Sequence, residues 1–123
     1  LEWNVDPNHI LYAVFLTLNE DINIAIGAKG FQQFTKGDYI YIGSAKKNIL
    51  RRVERHYKLD KPLRWHLDYL RPYCTITKIQ SYDHPEGECS LAATFAKQGE
   101  VWIKHFGASD CKCNGHLIRV QDK

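Results

Sequence analysis

Residues 38–57, DYIYIGSAKKNILRRVERHY, carry a β-branched and aromatic run into a Gly43-Ser44 corner, then into a helix holding Arg51, Arg52, Arg55 and His56 within two turns. The spacing predicts a helix over about 45–58. On a helix advancing about 100° per residue, Ile49, Leu50, Val53 and Tyr57 form the apolar stripe, while Arg51, Glu54, Arg55 and Lys58 fall opposite. Arg52 and His56 lie at the edge of the stripe, one turn apart, and project over the same patch. A cation held against the core boundary must be paired, face a cavity, or run its stem out to water. Arg52 is therefore the unusual arginine of the cluster.

Working outward, ILYAVFLT (10–17) and INIAIG (22–27) flank the polar tip Leu18-Asn19-Glu20-Asp21 and read as a hairpin. FQQFT, the turn Lys36-Gly37-Asp38 and YIYIG read as a second one. Downstream, helical patterns run over about 63–71, stopping before Pro72, and over about 86–98, stopping near Gly99. TITKIQSY alternates as a strand between them. VWIKHF and HLIRV are short strand candidates around the turn-rich GASDCKCNG. The expectation is one α+β domain over 1–123, with a small, mainly antiparallel sheet flanked by helices.

The third helix holds an anomaly, because Leu91, Ala92, Phe95 and Ala96 define its stripe and Glu88 sits on that stripe one turn upstream. The carboxylate either favours the helix N-terminus through the macrodipole or stands in a cleft as a cation ligand or catalytic group. In LRWHLDYL, His66 flanks the stripe Leu63, Leu67 and Leu70 as a core-edge residue, and Asp68 reads as solvated. Cys111, Cys113 and His116 form C-x-C-x-x-H, with Cys89 or His105 as a fourth candidate zinc ligand. If 111–113 is extended, its two thiols point to opposite faces, so structural zinc is disfavoured. Cys89, near a helix start, is a candidate activated thiol without a neighbour in the sequence to support it. No Gly-rich phosphate loop, serine-nucleophile motif or H-E-x-x-H occurs.

A chain of 123 residues, 44% hydrophobic and 25% charged, is long enough for one core without help from disulfides. The longest apolar run, ILYAVFL (10–16), is too short to cross a bilayer, and the N-terminal residues do not read as a signal peptide. A cytoplasmic protein with reduced thiols and no membrane partner is expected. The net charge of +3 is uneven: residues 46–72 hold nine Lys or Arg against three Asp or Glu, a balance of +6, and the remainder holds eight against eleven, −3. A basic segment on a slightly acidic body is either a polyanion-binding face or a solvated helix surface.

Tyr12 on the first strand, Tyr41-Ile42-Gly43-Ser44 on a later one, Arg52 and His56 on the following helix, and Glu88 opening another together resemble the GIY-YIG nuclease superfamily. YIGSA, LRRVERHY, RWHLDYLRP, ECSLA and FGASDCKC are similar to one branch of it, a domain of unassigned function found alone or appended to endonuclease III-like DNA glycosylases. The likeness covers roughly residues 9–120. It implies a three-stranded antiparallel core surrounded by helices, and DNA as the partner. Residue by residue, it implies site roles for Tyr12, Tyr41, Arg52, His56 and Glu88. The first motif departs from the pattern, reading Leu11-Tyr12-Ala13 instead of Gly-Ile-Tyr. The long Tyr12-to-Tyr41 gap implies an additional hairpin over 20–36.

The chemistry that this likeness implies is metal-dependent phosphodiester hydrolysis. A single carboxylate, Glu88, with waters completing the shell, suits one Mg²⁺ or Mn²⁺ ion. Arg52 would donate to non-bridging phosphate oxygens. Tyr41 or Tyr12 would orient or deprotonate water, with His56 as second proton handler; a phenol would need its pKa lowered by about 3 units to be half ionised at neutral pH. Lys46, Lys47, Arg51 and Arg55 would hold neighbouring phosphates without reading bases. The alternatives are a non-catalytic nucleic-acid-binding module on the same fold and a protein-interaction domain whose arginines only solvate a helix.

Overall fold

The computed structural model describes residues 1–63, 66–102 and 116–120. Arg64, His105, Cys111 and Cys113 lie outside the described residues, as does all of GASDCKCNG.

The chain is α+β. In order it forms β1 (Glu2–Asn4), β2 (Leu11–Leu18), β3 (Ile22–Ala25), β4 (Phe31–Phe34), β5 (Gly37–Ser44), α1 (Ile49–Tyr57), α2 (His66–Leu70), β6 (Cys74–Tyr82), α3 (Glu88–Ala96), β7 (Gly99–Val101) and β8 (Leu117–Val120), with short 3₁₀ turns at Gly27–Lys29 and Arg71–Tyr73. Six strands make one mixed sheet in the order β1-β6-β2-β5-β8-β7, and β3 with β4 makes a separate two-stranded sheet. Antiparallel pairing holds throughout the large sheet except where β1 runs parallel to β6. The expected three-stranded core is thus the centre, β6-β2-β5, of a wider sheet that also takes in β1, β7 and β8.

Alternation along the central strands explains the layering, since successive side chains leave opposite faces. Tyr12, Val14, Leu16 and Leu18 join Tyr39 and Tyr41 on one face, where Ile49 and Val53 of α1 and Leu67 and Leu70 of α2 cover them. Leu11, Ala13, Ile40 and Ile42 leave the other face, where Ile118 and the α3 residues Leu91 and Ala92 pack. With both faces covered, β2 reads as a near-continuous apolar run.

The two expected hairpins re-pair. β2 joins β5 over eight residues, from Leu11 opposite Ser44 to Leu18 opposite Gly37, and β3 joins β4. The additional hairpin over 20–36 is therefore present, as an excursion between the arms of one longer hairpin. Polar tips mark where chains turn but not which strands pair, and the equal lengths of β2 and β5 favour the long pairing. The excursion is anchored, because Ile26 and Phe34 are fully buried in the α1-side core.

Helix α1 begins at Ile49 instead of about 45 because Asn48 caps it. Its backbone is left-handed (φ 51°), and its side chain accepts from the Arg51 N–H at 3.2 Å. Helix α3 starts after Gly87, whose φ of 93° suits glycine.

Candidate active site

Tyr12 and Gly43 are directly opposed on β2 and β5. The Tyr12 ring lies across the neighbouring strand, over the space that a side chain at 43 would fill. A Cβ there would meet the phenol oxygen and stand 2.9 Å from Cε2. Gly43 is thus needed for close approach. The ring ends at α1, where the Tyr12 hydroxyl and His56 Nε2 hydrogen-bond at 2.7 Å.

His56 is 1% exposed, well inside the edge position expected from periodicity. The Tyr41 ring meets its imidazole edge-on, with centroids 5.7 Å apart. Its Nδ1 is buried without a hydrogen-bond partner among the described residues. Arg52 is half-buried beside this pair, donating to the Ser44 carbonyl at 3.1 Å, and its charge acts to lower the Tyr12 pKa. One helical turn therefore brings Arg52 and His56 to bear on the same tyrosine.

Burial dominates the electrostatics of the expected proton handlers. Burial raises the Tyr12 phenol far above its ordinary value, with Arg52 only partly opposing the shift. Burial raises Tyr41 as well, reinforced by Tyr12 and Glu88. His56, expected as the second proton handler, is lowered to about 3, first by burial and then by Lys61, with Asp68 opposing. The three side chains are neutral at pH 7, and no tyrosinate is poised in this state.

Glu88 opens α3 behind Gly87, half-buried. Its Oε2 stands 3.6 Å from Nδ1 of His116, the residue just before β8. The field of Glu88, like that of Arg52, acts on both Tyr12 and Tyr41. Residues separated widely in sequence thus bear on one pair of phenols. Among the described residues, no group of three or more His, Cys, Asp or Glu side chains has the arrangement to hold a metal ion.

Residues 11–123 match the family described as "Domain of unknown function DUF123". The chain belongs to that family. No curated protein and no solved structure matches it. The DUF123 match runs from β2 to the end of the chain and so contains Tyr12, Tyr41, Gly43, Arg52, His56 and Glu88.

Around α1 of this DUF123 domain, a groove of about 760 Å³ is lined by Lys47, Arg51, Arg52, Arg55, Lys58 and Lys61, with Glu54 and Asp60 as its acidic residues. Lys46, Lys47 and Arg51 are exposed. Arg55, expected on the exposed side, is turned inward. Its guanidinium donates to both oxygens of Asp68, each at 3.1 Å, and to the Pro62 carbonyl at 2.9 Å. Asp68, expected to be solvated, is buried at 1% exposure and is also 3.4 Å from Lys61 Nζ. Arg71 is likewise buried, donating to the carbonyls of Tyr57 and Cys74. The burial of Asp68 escaped the sequence reading because α2 has only five residues, too few for a periodic face. His66 is half-buried, as expected of a core-edge residue, and its pKa is lowered by burial and by Lys29.

No helix among the described residues is long and apolar enough to cross a membrane.

Proposed function

We propose that this DUF123 chain is a divalent-metal-dependent phosphodiesterase of GIY-YIG type that cleaves nucleic acid, with DNA as its substrate. The observation carrying this reading is the Tyr12–His56 hydrogen bond at 2.7 Å over Gly43, with the charge of Arg52 acting on the same phenol. A tyrosine, a glycine, an arginine and a histidine that resemble that superfamily's pattern thereby acquire mutual contacts. Glu88 would hold one Mg²⁺ or Mn²⁺ ion, which supplies Lewis acidity to the scissile phosphate. A single half-buried carboxylate with room for water suits a hard, hydrated cation.

In this reading Arg52 donates to non-bridging phosphate oxygens, where its planar fork has no lysine equivalent. Tyr12 hydrogen-bonds the attacking water and shares a proton with His56. Because His56 is lowered to about 3 in the resting chain, first by burial and then in smaller part by Lys61 and Arg52, phosphate binding assists the proton step: an anion offsets the cationic part of that shift. Lys46, Lys47 and Arg51 contact flanking phosphates, and Arg55 serves the scaffold.

A second reading, a nucleic-acid-binding module without turnover, draws on the burial of both phenols and the low His56 pKa. Cleavage of single-stranded, branched and damaged DNA, with Mg²⁺ or Mn²⁺ added, separates the two. Wild type cleaves, and Glu88→Ala and Arg52→Ala each lower the rate about 10²-fold or more. Binding without cleavage in wild type favours the module, and cleavage indifferent to both substitutions removes the proposed site.

A further inference from the structure

Resting on the nucleic-acid reading above, we propose that Phe31 and Tyr73 stack on unpaired bases of the substrate, so that the β3–β4 excursion favours single-stranded over fully paired DNA. Phe31 is 75% exposed and Tyr73 52%, although each carries a large ring. On β4, Phe31 stands opposite Ala25 of β3, and alternation places both with Asn23 on the face turned away from the core. Ile26 and Phe34 fill the core side. Phe31 thus contributes little to folding and is open to a ligand.

The two rings line one groove of about 480 Å³, together with Asn23, Leu63, Tyr69 and Pro72. Its walls are fixed by packing within the chain. Gly27, between β3 and β4, lies so close under Tyr69 that a Cβ there would stand 3.3 Å from the phenol oxygen, and Ile22, Ile24 and Tyr69 pack on the α1-side core. Seated walls keep the ordering cost of binding low.

The neighbouring surface identifies the occupant. Lys61 and Pro62 line the basic groove around α1, and Leu63, the next residue, lines the aromatic one, so Cα atoms about 3.8 Å apart carry one groove into the other. A second link runs through Arg71, which donates to the Tyr57 carbonyl at the end of α1 and directly precedes Pro72 and Tyr73. A strand whose phosphates follow Lys47, Arg51 and Lys58 therefore delivers its bases to the rings. Among its described lining residues the aromatic groove has no Asp, Glu, Lys or Arg, which suits a flat neutral ring and not a phosphate. Asn23 offers a donor and an acceptor to a base edge. In a duplex the bases cover one another's faces, so only unpaired ones can lie on Phe31 and Tyr73.

The test is binding of a fluorescein-labelled single strand, and of the same sequence as a blunt duplex, to the whole chain without divalent metal. Phe31→Ala and Tyr73→Ala each weaken single-strand binding about tenfold and leave the duplex within about twofold. Both keep the wild-type salt slope, because stacking releases no counterions. A single strand with abasic sites binds wild type about as weakly as the normal strand binds Phe31→Ala, a comparison that needs no variant to fold. If wild type binds the single strand and neither the ring substitutions nor the abasic sites weaken it, stacking is overturned while the phosphate-binding face stands. Equal losses on single strand and duplex overturn it too. If wild type binds neither DNA, the nucleic-acid reading falls with it, and the groove belongs to a protein partner.

Discussion

At Gly43 the side chain that is missing matters, because the Tyr12 ring occupies its place on the way to His56. The strand-to-helix corner and the one-turn spacing of Arg52 and His56 were legible in the sequence. The depth of His56 was not: a helical stripe gives the direction of a side chain, whereas burial here depends on Tyr12 and Tyr41 arriving from the sheet. That depth has a pH signature. In the unfolded chain His56 takes up a proton near pH 6.5, and in the folded chain only near 3. The unfolded state thus binds the extra proton between those values, so the stability linked to neutral His56 is complete above about pH 6.5 and is lost as pH falls toward 3. At about 1.4 kcal/mol per unit, the full span is at most roughly 5 kcal/mol. Urea midpoints from pH 7 to 4 should fall more steeply for wild type than for His56→Gln; parallel curves would mean that the imidazole is not buried neutral.

Between elements, α1 and α2 are joined by Asp68, whose carboxylate takes both arms of the Arg55 fork and lies 3.4 Å from Lys61. Lys61 Nζ also donates to the carbonyls of Arg55 and His56 at the end of α1. Removing one partner of a buried ion pair strands the others in a poorly solvating place, at a cost of about 3–5 kcal/mol. Asp68→Ala should therefore lose roughly that amount in chemical denaturation, and Arg55→Ala less, because its side chain is 26% exposed and leaves Lys61 to pair with Asp68. A loss below about 1 kcal/mol for Asp68→Ala would show that the cluster does not join the helices. Element identities were largely readable: α1, α3, β6 and the 20–36 excursion stand near their expected places. Pairings and edges were not. β1 is a three-residue exposed strand paired with β6, a partner more than 70 residues away. No local pattern in Glu2-Trp3-Asn4 encodes that distance.

For the whole molecule, charge decides how a polyanion would approach. Nine of the 17 Lys and Arg residues fall within 46–72, but the fold divides their work. Arg55, Lys61 and Arg71 are bound to Asp68 or to backbone carbonyls, whereas Lys46, Lys47 and Arg51 stay exposed at the start of α1. On the proposed reading, these three meet phosphates flanking the one at Arg52. Each such contact releases condensed counterions and steepens the fall of log K with log salt by about 0.7 on single strands and 0.9 on duplex. Changing Lys46, Lys47 and Arg51 together to Gln should flatten that slope by about 2–3 and weaken binding alike on unrelated sequences, because phosphates carry no base identity. Arg55 is left out of the set, since its loss would disturb the Asp68 cluster and confuse binding with stability. Titrations from 50 to 200 mM salt measure the slope directly. If the triple variant keeps the wild-type slope, the start of α1 is not where the nucleic acid lies, whatever the chemistry at Tyr12 and Glu88.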